Sequence, residues 1–97
     1  ELQDRRQSVR AEVKKRVEAV AEARQAVTAA TTSLESARAA YRAVQSRFEE
    51  GMVVVSDLLD AERALREARS QLVAAQADYA LARAALARAV GRSVARE

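Results

Sequence analysis

Two unbroken heptad patterns fill this chain, one in each half, separated by a single glycine-bearing interruption. In the first half Val13, Val20, Val27, Leu34, Tyr41 and Phe48 recur every seven residues. Three positions after the first five of these stand Arg16, Ala23, Ala30, Ala37 and Val44. The second half has a large row, Leu58, Leu65, Leu72, Tyr79 and Leu86, and a small row, Ala61, Ala68, Ala75, Ala82 and Ala89. An α-helix brings every seventh residue back to nearly the same face, whereas a strand, with its period of two, would scatter these residues over both faces. A 3,4-spaced apolar stripe sustained this long specifies a coiled coil.

The interruption reads Glu49-Glu50-Gly51-Met52-Val53-Val54-Val55-Ser56-Asp57. Gly51 suits the left-handed residue that closes a helix. Ser56 suits the N-cap of the next one, with Asp57 and Asp60 placing negative charge in its first turn. The three consecutive valines have no partner strand within reach. The expected organisation over 1–97 is therefore one unit, with a helix over 2–50, a turn over 51–56 and a helix over 57–90. Gly91 is expected to end or loosen the second helix, leaving a frayed tail over 91–97. At ~1.5 Å per residue the helices would be about 70 Å and about 50 Å long.

The fold class that follows is all-α, a long antiparallel two-helix coiled-coil hairpin. Its core would be Val20, Val27, Leu34, Tyr41, Val44, Leu58, Leu65, Leu72, Tyr79 and Leu86. A register in which facing residues sum to 109 sets nearly every large residue against a small one, as in Ala37 with Leu72 and Tyr41 with Ala68. Such layers let helix axes approach toward the lower end of the ~8–10 Å range. Residues before about Val13 would then overhang. A second, weaker stripe runs through Ala26, Ala29, Ser33, Ser36, Ala40 and Ala43, and through Val73, Ala77, Ala80, Ala84 and Ala87. It is either Ala filling surface positions as the best helix former, or a seam for neighbouring hairpins.

Composition narrows the function. The chain has no Cys, His, Trp or Pro, so it offers no thiolate nucleophile, imidazole base or zinc site of the usual ligand types. Asp57 and Asp60 imitate an acid/base pair, yet a two-helix rod provides no concave apolar pocket to shift a carboxyl pKa. No catalytic, cofactor or metal residue is expected. The 17 basic residues are interspersed among 14 acidic ones, for a net charge of +3. That pattern is a solvated helical face rather than a nucleic-acid surface, and no basic block alternates with aromatics. No apolar run reaches the ~18 residues of a spanning helix, so no membrane contact is expected of this segment. The text opens at Glu1 inside a charged helical pattern and reads as a piece of something longer.

The residues about the turn carry a resemblance. Arg47-Phe48-Glu49-Glu50-Gly51, followed by Asp57-Leu58-Leu59-Asp60-Ala61-Glu62-Arg63-Ala64-Leu65, resembles the outer-membrane efflux protein family of the TolC type, most closely its C-terminal repeat. Ala68, Leu72, Ala75, Asp78-Tyr79, Ala82, Leu86 and Ala89-Val90-Gly91 continue the likeness, and Val9 and Glu12-Val13 extend it upstream. Lys14, Lys15 and Arg16 stand where the family usually has apolar residues. The resemblance implies a homotrimeric channel with a β-barrel in the outer membrane and a helical tunnel across the periplasm. Its hairpin turns form the inner mouth, where a periplasmic adaptor protein docks. Carried over to this chain, the docking tip would be Phe48, Gly51, Met52, Val53, Val54, Val55 and Ser56, and the acidic mouth Asp57 and Asp60. Met52-Val53 sits where some members carry a polar or basic residue of a closed constriction, a departure that leaves gating by a basic residue there without support from the resemblance.

A purely structural coiled coil and the adaptor's own hairpin are the competing readings. Adaptor tips usually carry an Arg-rich motif with Leu and Ser, which the Gly-Met-Val-Val-Val turn lacks. The isolated hairpin is expected to self-associate through its uncovered stripe.

Overall fold

The computed structural model describes residues 2–96 and consists of two helices joined by a tight turn. Helix α1 spans Leu2–Glu49 and α2 spans Val55–Arg96, 48 and 42 residues long. They pack antiparallel into a rod of 73 × 14 × 13 Å. The expected all-α hairpin is the observed fold.

The heptad rows are the buried rows. Every position from Val13 through Val44 in the first pair of rows, and from Leu58 through Ala89 in the second, is partly or fully covered. The second stripe, from Ala26 to Ala43 and from Val73 to Ala87, is exposed throughout. A two-helix rod covers one side of each helix and no more, so the core is thin. Among the described residues only Leu34, Leu65, Ala68 and Ala89 are buried, and no large side chain is fully enclosed. Tyr79 gains a roof from Arg83, one turn on, whose guanidinium carbon lies 5.6 Å from the ring centroid. Inside α1 the hydroxyls of Thr28, Thr31 and Thr32 each donate to the carbonyl four residues earlier, which satisfies them without breaking the helix.

The register differs from the expected one by a heptad. Leu34 packs in one cluster with Leu65 and Ala68, against which Ala37, Tyr41 and Leu72 also rest. A sum of 109 would leave Leu65 and Ala68 about 15 and about 10 Å from Leu34 along the axis. Leu34 and Ala68 instead sum to 102, and the far-end contact between Glu12 and Arg92 sums to 104, as do the two helix ends at the turn, Glu49 and Val55. This register sets Ala37 by Leu65 and Ala30 by Leu72. It also explains why Val9, Glu12 and Ser93 are partly covered, where the expected register left the start of α1 overhanging. The cause of the difference is that both rows repeat every seven residues, so a one-heptad shift preserves each large-against-small layer. A five-residue turn then decides between registers by placing the two helix ends at the same height.

Three boundaries also differ. Helix α1 stops at Glu49, and α2 begins at Val55 rather than at position 57, so Ser56 is the second helical residue and not the N-cap. Helix α2 continues through Gly91 to Arg96 in place of the expected tail, whose last residue, Glu97, lies outside the described residues. One Gly in a helix interior costs about 1 kcal/mol relative to Ala, and the strong helix formers around it, Ala87, Arg88, Ala89, Arg92 and Ala95, carry the helix through. Phe48 closes no layer. It is 39% exposed, and the covered seam of α1 ends at Val44.

Candidate functional site

The turn is shaped by its backbone. Gly51 has φ 75°, the left-handed conformation that a side chain disfavours. Its N–H donates to the Phe48 carbonyl at 3.0 Å, and the Met52 N–H donates to the Arg47 carbonyl at 2.8 Å. These paired bonds are the Schellman closure, which satisfies carbonyls that the end of a helix otherwise leaves free. Gly51 thus holds the place its sequence position predicts.

The start of α2 is capped from within. Val54 occupies the N-cap position but has no side chain able to accept a hydrogen bond. Asp57, three residues on, reaches back so that its Oδ2 accepts the Val54 N–H at 3.3 Å, while the Asp57 N–H donates to the Val54 carbonyl at 3.0 Å. This is one half of a capping box, with the carboxylate at the positive end of the helix. Asp60, one turn further, lies 3.8 Å from Arg63. Both carboxylates are exposed, and within a single hairpin each has a local partner. Among the described residues no group of three or more acidic or metal-ligating side chains is placed to hold a metal ion.

With these bonds made by the backbone and Asp57, the apolar side chains of the turn are left uncommitted. Met52 is 70% exposed and Val54 63%, with Val55 also largely in solvent; only Val53 is partly covered. Gly51 and Ser56 are exposed as well. Leu59, which the sequence reading did not single out, joins this surface at 52% exposure. Its signal was available, because it follows the seam residue Leu58 and therefore faces away from α1. The tip is an apolar cap made of Phe48, Met52, Val54, Val55 and Leu59, flanked by Glu49, Glu50, Asp57 and Asp60.

Residues 1–92 match the family model of the outer membrane efflux protein. The chain belongs to that family. No curated protein and no solved structure matches it. An outer membrane efflux protein is a component of an outer-membrane efflux channel, and the family is one of transport rather than catalysis. No described helix of this hairpin is long and apolar enough to cross a membrane. Five exposed large apolar residues, Phe48, Met52, Val54, Val55 and Leu59, lie at the turn end of the rod, with others such as Val73, Leu81 and Val94 spread along the helices.

Proposed function

We propose that this hairpin is the periplasmic tunnel-wall and tip segment of a trimeric outer-membrane efflux or type I secretion channel, docking a periplasmic adaptor protein through its turn. The observation that carries the reading is the exposed cap of Phe48, Met52, Val54, Val55 and Leu59, held on a turn whose hydrogen bonds are made by backbone and Asp57. Apolar side chains in water favour burial, at roughly 25 cal/mol per Å² removed from solvent. A rigid turn presents them with little ordering left to do on binding. The acidic rim of Glu49, Glu50, Asp57 and Asp60 suits a partner whose own tip carries basic residues around an apolar centre.

In the trimer, three copies of Asp57 and Asp60 would ring the inner mouth and focus a negative field that favours cations. The long rod delivers this tip to the partner, and the exposed Ala and Ser stripe is the face along which neighbouring hairpins would lie.

The test is a channel carrying this hairpin with Val54→Asp. The protein is expected to reach the outer membrane, to lose crosslinking to its adaptor, and to lose export-dependent drug resistance. Full resistance and unchanged adaptor crosslinking in that variant would refute docking through the turn.

A further inference from the structure

The regularity of this seam creates a problem of its own. Large and small rows repeat every seven residues on both helices, so sliding one helix past the other by a heptad keeps large against small. Apolar packing therefore leaves competing registers close in energy, and a unique fold needs features that do not repeat. At one end the Gly51 closure is such a feature.

The open end has another. Arg92 Nη2 donates to Glu12 Oε1 at 2.8 Å, joining residues 80 apart in the chain. Among the described residues it is the one side-chain hydrogen bond that crosses from α1 to α2. The heptad equivalents of Glu12 are Arg5 and Ala19, and that of Arg92 toward the turn is Ala85. A slip of one heptad would set Arg92 against Ala19 in one direction, losing the pair. In the other it would set Arg92 against Arg5, bringing two guanidinium groups together. Apolar packing does not make the choice here: Ala89 is buried, but its row repeats every seven residues, and Arg16, whose Nε is buried without a partner, takes the seam position one turn from Glu12.

We propose that Glu12 and Arg92 form a register lock, a pair that selects the observed alignment of the hairpin over its heptad-shifted neighbours. An ion pair exposed to solvent adds little to total stability. Selection depends on the difference between registers, and here the alternatives carry either no partner or a like charge. The lock matters for the tip because register fixes which residues are left over to form the turn.

The chain has no cysteine, so introduced pairs report alignment without interference. Ala30→Cys with Leu72→Cys reads the observed register, and Ala37→Cys with Leu72→Cys reads the slip toward Ala19. In the parent sequence the first pair is expected to form the intramolecular disulfide and the second to form little. Glu12→Ala or Arg92→Ala should raise the slipped product about two- to fivefold, the factor expected for an exposed pair. The exchange of both, Glu12→Arg with Arg92→Glu, should return it to the parent level. Slipped product unchanged in the single variants, or still raised in the exchange, would overturn the lock. If the single variants lose helix by circular dichroism, the exchange variant decides on the Ala37–Leu72 pair: a parent level of that product supports the lock, and a raised level, the slip toward Ala19, overturns it.

Discussion

The two ends of this hairpin are held in opposite ways. At the turn, the constraint lies mainly in the backbone: a left-handed Gly51, two helix-closing bonds, and an aspartate that caps the first residues of α2. The apolar side chains there point into solvent. At the open end the constraint lies in side chains, with the Glu12–Arg92 pair across the seam and Arg16 occupying a position that elsewhere holds Ala or Val. The middle, around Leu34, Leu65 and Ala68, is held by apolar burial. A tip whose shape comes from main-chain bonds leaves its side chains free to be read by another protein.

Stability should follow that division. The largest effect is expected in the middle: Leu34→Ala should cost about 2–4 kcal/mol, because the cavity opens in a seam too thin to collapse around it. A drop of that size would lower the melting temperature by roughly 8 °C or more in a chain this small. The same truncation at Leu59, exposed and off the seam, should fall within about 0.5 kcal/mol. Equal losses at the two sites, by thermal melts followed by circular dichroism, would break the distinction between seam and tip.

Next comes the turn. Gly51→Ala forces a side chain into the left-handed region and should cost about 1–2 kcal/mol. The added methyl would meet open space, so the effect is conformational and not steric. A melt unchanged by this substitution would mean that the turn can relax without its glycine. At the open end the sign reverses. Arg16→Leu replaces a partly covered cation with an unpartnered Nε by an apolar seam residue, and should raise stability, by about 1 kcal/mol or less. A destabilised variant would show that Arg16 makes a favourable contact at the seam.

The sequence was informative wherever the structure repeats and where one residue type had a single use. The heptad rows predicted each covered face, and Gly51 marked the closure of α1 because no other residue nearby tolerates its φ. The register was not legible, because the same repetition that reveals the seam makes heptad-shifted alignments look alike. Ser56 misled the reading of the cap. A hydroxyl next to Asp57 looks like an N-cap, yet an acid three residues after Val54 serves from inside the helix. Gly91 misled it too, since a helix-weakening residue ends a helix only where its neighbours do not carry the helix onward. For the candidate tip, the apolar run was plain in the sequence. Leu59 was legible too, as the residue after the seam position Leu58, but it lies outside the apolar run and was passed over.

The residue with the largest expected effect on partner binding is one whose substitution should cost the fold nothing, and that contrast tests the central claim most directly. Val54→Asp puts a carboxylate that can accept hydrogen bonds at the N-cap of α2, so the thermal melt should be at or above that of the parent, by up to about 1 kcal/mol. In the same preparation, binding of the tip to its periplasmic adaptor, measured by titration calorimetry, should be lost. A variant that melts no lower than the parent and binds the adaptor with parent affinity would contradict an account in which the free apolar tip is the docking surface.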